Sequence, residues 1–235
     1  MKWPFKIHHL HRCWKYRLRT EIESIKWLMS QKLRGTTLVD AGASNGIYSY
    51  WMSKLAGPDG HVVAFEPQSE CVTYLKKAKE KFRLDNLQII PKGLSSASGE
   101  KVLARARPGD LGASIEWAGN RDESEFEHLQ ITTTTLDEFF ATSSAPSLIK
   151  CDVEGHELAV FRGGQKLLEQ SHPTLLFECH HREATDGTLF RFLKDLGYSG
   201  YFFESGKRYS VSECLEVPYK RPKATFRNYV FQFDE

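Results

Sequence analysis

Six residues in the second half of the chain carry the side chains best suited to acid–base or metal chemistry: Asp152, Glu154, His156, Glu178, His180 and His181. They fall in two short runs, D-V-E-G-H-E and E-C-H-H, each directly after an apolar stretch that reads as a buried strand, Leu148 to Cys151 and Thr174 to Phe177. Acids at the ends of buried strands rarely sit there without work to do. Carboxylates interleaved with imidazoles suit a general base, or oxygen and nitrogen ligation of a divalent ion such as magnesium or manganese. Asp152 and Glu178 are candidates for both tasks. Any one of the histidines also suits a surface or capping position, and Glu154 and Glu157 would favour a helix N-terminus through its dipole.

The first half carries a different constellation. From Thr36 to Gly46 the sequence reads T-T-L-V-D-A-G-A-S-N-G: a β-prone run closed by Asp40, a glycine-rich turn, then a helical segment from Ile47. In parallel α/β sheets this order builds a nucleotide site at the carboxyl end of the first strand. Gly42 and Gly46 allow close approach of the backbone, with Ser44 and Asn45 between them and free N–H groups behind. The next strand, His61 to Phe65, ends in Glu66, which can accept both hydroxyls of a ribose. Leu94 and Asp152 are further candidates for contact with the same ligand. The spacing also fits a nucleophile elbow on Ser44, hence an esterase of the α/β-hydrolase kind, but no earlier strand is present to supply its oxyanion donor. A non-catalytic nucleotide-binding module is the third reading.

These residues need a frame. A chain of 235 residues with a formal net charge of +2 fits a single α/β domain, and its charge balance does not call for nucleic acid. Five scattered cysteines with no C-x-x-C pair, no apolar run of membrane-span length and no secretory signal are those of a cytoplasmic protein. Residues 1–35 read as a basic aromatic arm followed by a helix from Thr20, and 36–235 as the main domain. The arm holds Lys2, Lys6, Arg12, Lys15, Arg17 and Arg19 without an acid up to residue 19, and Trp3, Phe5, Trp14 and Tyr16 are interleaved. It reads first as an amphipathic cap on the domain, and it also suits contact with an anionic membrane surface or a polyanion. Strands and helices then alternate, except that residues 96–135 break the rhythm as an inserted β-meander facing the acceptor. One continuous helix is expected from Glu154 to Glu169, and an antiparallel pair, Tyr198 to Glu204 with Phe226 to Phe233, closes the sheet.

The motifs D-A-G-A-S-N-G, A-F-E-P (64–67), T-L-D-E-F (135–139), I-K-C-D-V-E-G-H-E (149–157), F-R-G-G (161–164) and L-L-F-E (175–178) together resemble the FkbM family of S-adenosylmethionine-dependent methyltransferases. The similarity runs in order over residues 36–232, and D-V-E-G-H-E is its most specific part. Cys151 stands where the family commonly has an apolar residue. The resemblance implies a Rossmann-like class I methyltransferase fold with a mostly parallel seven-stranded sheet. It also implies O-methylation of a sugar, glycan or natural-product hydroxyl. Asp40, Gly42, Gly46 and Glu66 would hold S-adenosylmethionine, while Asp152, Glu154 and Glu178 would line the active site.

Overall fold

The computed structural model describes residues 4–116, 126–219 and 225–234. Helices α1 (Phe5–Lys15) and α2 (Ile22–Ser30), joined by a π-helical turn at Tyr16–Thr20, precede the sheet. The α/β alternation follows: β1 (Thr37–Ala41), α3 (Ile47–Ala56), β2 (His61–Phe65), α4 (Ser69–Phe82) and β3 (Leu87–Ile90). Strands β4 (Gly93–Leu94), β5 (Gly99–Arg105) and β6 (Glu127–Thr134) then form a small separate sheet, ordered β4-β6-β5. After α5 (Leu136–Phe140) come β7 (Leu148–Cys151), α6 (Glu157–Arg162), α7 (Gln165–Ser171) and β8 (Thr174–His180). The chain closes with α8 (His181–Asp186), α9 (Thr188–Asp195), β9 (Tyr198–Glu204), β10 (Lys207–Ser210) and β11 (Phe226–Phe233).

The main sheet has eight strands, ordered β10-β9-β11-β8-β7-β1-β2-β3, one more than expected. The extra strand is β10, an edge hairpin partner of β9 across Ser205-Gly206, both with positive φ (53° and 79°). That conformation matches the two-residue turn whose twist suits a hairpin. The long helix expected from Glu154 is instead two helices that start at Glu157 and break at Gly163-Gly164. A side chain on Gly163 would lie 2.0 Å from the carbonyl oxygen of Ser95, so the chain bends where only glycine fits. The third strand expected in the meander reduces to an isolated bridge, Ser114 to Ala104, and its far end lies outside the described residues.

Side chains alternate across the sheet and feed two cores. Val39, Ile149, Leu175 and Phe231 enter one, and Leu38, Leu148, Leu176 and Val230 enter the other, beneath α1, α2 and α3. The basic arm belongs to this second core. Cys13 is fully buried, and His9 packs among Tyr50, Tyr74 and Phe82, which leaves Ile7, Trp14 and Leu18 outward. No helix among the described residues is long and apolar enough to cross a membrane.

Candidate active site

Parallel pairing of β2, β1, β7 and β8 brings their carboxyl ends to one rim. Asp40 pairs with Ala64 and Lys150, and Cys151 with Phe177, so Asp152 and Glu178 emerge side by side. Antiparallel β11 sets Asn228 directly opposite Glu178. Alternation sends Asp40, Lys150, Glu178 and Asn228 to the face of the second core.

At one end of this rim lies a cleft lined by Gly42, Ser44, Glu66, Leu94, Asp152 and His156 among others. Gly42 adopts φ +74°, and a Cβ there would lie 1.9 Å from the carbonyl oxygen of Asp152. The first turn and the Asp152 loop are thus in backbone contact. Glu66 is almost fully buried, and its two oxygens accept from the backbone N–H groups of Ser44 (2.8 Å) and Gln68 (2.9 Å). Burial pushes its carboxyl from 4.5 up to about 7, against those two hydrogen bonds. Leu103, Asp110, Leu111, Ala113 and Ile115 also line this cleft. The insert, expected to face the acceptor, therefore shares this cleft with Gly42 and Glu66. Its Arg105 is buried in ion pairs with Glu70 and Glu127.

The expected cofactor residues separate into two groups. Gly42, Ser44, Glu66, Leu94 and Asp152 line the cleft, whereas Asp40, Asn45 and Gly46 stand behind it. Asp40 is fully buried, accepts from Ser49 Oγ at 2.5 Å, and lies 3.9 Å from Lys150 Nζ. Gly46 begins α3 with φ +72°, its α-carbon against Leu75. Both hold the turn in place.

The other half of the rim is dense in acids. Lys150 Nζ donates to Asp152 at 3.0 Å and lies over the Tyr48 ring. Burial alone would lower the lysine's pKa, but Asp152 and Asp40 outweigh it and raise it. Tyr48 donates to Glu21 Oε2 (2.8 Å), which also accepts from Asn228 Nδ2 (2.8 Å). Glu178 accepts no hydrogen bond from the described residues; its carboxyl is pushed up to about 11, first by burial and then by Asp152, Glu21 and Glu154. His180 Nε2 lies 3.4 Å from Glu154, a contact that raises the imidazole's pKa. Glu154, Glu178 and His180 present ligand atoms all within 4.8 Å of one another. Asp152, the other metal candidate from the sequence, is not one of that trio.

The remaining histidines go elsewhere. His156 is buried between Ser95 Oγ and Glu116, and burial lowers its pKa. It walls the cofactor cleft. His181 is exposed at the start of α8, with Tyr219 at 3.4 Å, away from the acid cluster. The loop between β7 and α6 is locked by Glu157, which accepts from Val153 N (2.8 Å) and Gly155 N (3.1 Å). Glu154 within it holds φ +55°, and Ser44 across the cleft holds φ +47°. Among the described residues the other non-glycine positive φ values fall at helix ends and a hairpin turn, so backbone strain outside such turns collects at this rim. Sequence reasoning missed Glu21, Tyr48, Lys150 and Asn228. A lysine inside the apolar run Leu148 to Cys151 was a usable signal; Glu21 and Asn228 gave none, since only the fold brings them together.

Residues 40–199 match the Methyltransferase FkbM domain. The chain belongs to the FkbM methyltransferase family. It is 29% identical over 180 residues to the hexuronic acid methyltransferase AglP of Haloferax volcanii, covering 75% of this chain and 70% of that protein. Its fold matches the methyltransferase FkbM from Methylobacillus flagellatus KT with a TM-score of 0.59 at 14% identity, over 98% of this chain and 56% of the other. The chain thus spans about half the length of that FkbM structure. A SAM-dependent methyltransferase from Aquifex aeolicus aligns over 98% of this chain and 100% of its own length, with a TM-score of 0.50 at 16% identity. Membership of a methyltransferase family leaves the esterase reading of Ser44 without support; the backbone N–H of Ser44 donates to Glu66.

Proposed function

We propose that this FkbM methyltransferase transfers the methyl group of S-adenosylmethionine to a hydroxyl of a sugar or glycan, with a hexuronic acid unit as the first acceptor to try. The observation that carries this reading is the rim itself, an adenosine cleft ending at Asp152 with Glu178 beside it. The relation to AglP supports the acceptor class. The cofactor supplies an electrophilic methyl carbon, so the protein's share is alignment and removal of one proton. Alignment alone is worth roughly 7–11 kcal/mol of barrier. Asp152, held at 3.0 Å by Lys150, is the base assigned to the acceptor hydroxyl, a role worth about 10²–10⁴-fold. Asp152 and Glu154 place acidic groups at that end of the rim, which suits a cationic methyl donor.

The same cluster suits a divalent ion held by Glu154, Glu178 and His180. Ligand atoms 2.0–2.6 Å from a common ion lie about as far apart as these do. Bound there, magnesium or manganese would supply Lewis acidity that lowers a hydroxyl's pKa. We place the reaction in the cytoplasm, where the five cysteines, all unpaired and buried, remain reduced. The test is incubation with methyl-labelled S-adenosylmethionine and a panel of uronic acid and neutral glycosides, with and without chelator. Labelled methyl on a saccharide oxygen supports the reading; label only on nitrogen acceptors or none on any saccharide overturns it. Turnover indifferent to chelator removes the metal.

A further inference from the structure

A second cleft, of about 360 Å³, opens at the far end of the same rim, and its lining shares no residue with the first. Its walls come from opposite ends of the chain. Arg19, Thr20 and Glu21 lead into α2 on one side, and Tyr219, Phe226 and Asn228 lie on and before β11 on the other, with Phe203 of β9 beside Asn228. The pairing register fixes where it stands. Reading across the rim, Glu66 and Gly42 belong to the first cleft, Asp152 and Glu178 come next, and Asn228 and Phe203 belong to the second. The acid pair is therefore the boundary between the two. A methyl donor in one cleft and an acceptor in the other would meet at Asp152 and Glu178.

The lining gives the chemistry of the occupant. Phe226 is 40% exposed although it starts a sheet strand, and its ring packs edge-on to His180. Tyr219 is held against the Arg227 guanidinium, 3.8 Å from the ring centre. An exposed aromatic ring beside hydrogen-bonding groups suits the C–H face of a polyhydroxylated sugar ring. Glu21 has both of its donors, Tyr48 and Asn228, on Oε2, which leaves Oε1 as an acceptor. The cleft's volume of about 360 Å³ lies within the range of small-molecule sites.

We propose that this second cleft is the acceptor site of the methyltransferase, taking a saccharide stacked on Phe226 and Tyr219 with hydroxyls on Glu21 and Asn228. The proposal rests on the methyltransferase reading and adds the place and the recognising residues. The test uses the full chain saturated with S-adenosylhomocysteine, with methyl glucuronide, methyl glucoside and their disaccharides as probes, read by saturation-transfer NMR. Phe226→Ala is expected to weaken saccharide binding at least about tenfold, and Asn228→Ala by a smaller factor, with S-adenosylhomocysteine affinity unchanged. Phe226 is partly exposed at a strand start, and Asn228→Ala provides a second variant should the first misfold. A saccharide bound equally well by wild type and both variants overturns the cleft assignment and leaves the saccharide reading standing. No saccharide bound by a protein that does bind S-adenosylhomocysteine overturns the proposal together with the acceptor class. Failure to bind S-adenosylhomocysteine overturns the methyltransferase reading itself.

Discussion

Two carboxylates on this rim, Glu66 and Glu178, are both almost fully buried and yet are treated in opposite ways. Glu66 has each oxygen on a backbone N–H, in a turn where Gly42 touches the Asp152 carbonyl. Glu178 accepts no hydrogen bond from the described residues and faces Asp152, Glu21 and Glu154. Buried polar groups normally have their partners within the fold. The first half of the rim is therefore a finished mould for a ligand of fixed shape, the cofactor. The second half lacks its counter-charges and hydrogen-bond donors, which an acceptor hydroxyl, a sulfonium or a metal ion would bring. Specificity for the acceptor should thus depend on groups that look poorly satisfied in the free protein.

The sharpest way to break the comparison is Glu178→Gln, which keeps shape and removes the ionisable carboxyl. Turnover is expected to fall about 10²–10⁴-fold, the range for a group acting on the transferred proton or its ion. Affinity for S-adenosylhomocysteine, measured by calorimetry, should stay within about twofold, since Glu178 is outside that cleft. An equal loss in both would mean the two halves are one site.

Lys150 joins the halves, with Asp40 at 3.9 Å on one side and Asp152 at 3.0 Å on the other. Lys150→Met leaves two acids at a buried site without their cation. Breaking such a pair costs about 3–5 kcal/mol, which a denaturant midpoint would register directly. A loss below about 1 kcal/mol would show that Asp40 is satisfied by Ser49 alone and that Lys150 serves only the chemistry.

Glu66→Ala tests the finished half. Two ribose hydroxyls lose a charged acceptor, so cofactor affinity should drop by about 1.5–3 kcal/mol, roughly 10–150-fold. Saccharide binding should be untouched. Loss of both would place the acceptor in the first cleft.

The difference between the halves also governs what could be read before the fold was known. The cofactor half was legible because its parts are contiguous: an apolar run, a glycine turn, an acid at the next strand end. Asp152 and Glu178 were legible for the same reason, as acids closing short runs rich in Leu, Ile and Phe. Their surroundings were not. Glu21 reaches the rim only because a π-helical turn redirects the chain before α2, and a hydrophobic period cannot show that. Asn228 arrives through antiparallel register with Glu178. Glu157 looked like a dipole partner for a helix, yet its carboxylate ties down the loop that carries Glu154. Strand β10, with Lys207, Arg208 and Ser210 among its residues, lacks the apolar content that reveals a strand, as an edge position allows.

The smallest expected effect is also the one that separates the halves by pH. Burial holds the Glu66 carboxyl at about 7 instead of 4.5 in the free protein. Ribose hydroxyls donate to the ionised form, so below about pH 7 binding must first remove a proton. Cofactor affinity should then fall by up to about tenfold per unit as pH drops below 7, and level off above it. The linkage runs the other way for stability. An acid whose folded pKa is raised favours the folded state most below its unfolded value, and this contribution is lost as pH rises from 4.5 through about 7. The unliganded protein should therefore lose melting temperature over the same window in which it gains cofactor affinity. Asp40 and Lys150 also act on Glu66, so the control is Glu66→Gln, which has no proton to release. Calorimetric titration of S-adenosylhomocysteine from pH 5.5 to 8.5 should give a sloped curve for the wild type and a flat one for the variant. Equal slopes would assign the proton to another group on the rim, and the finished half would no longer be the pH-sensitive one.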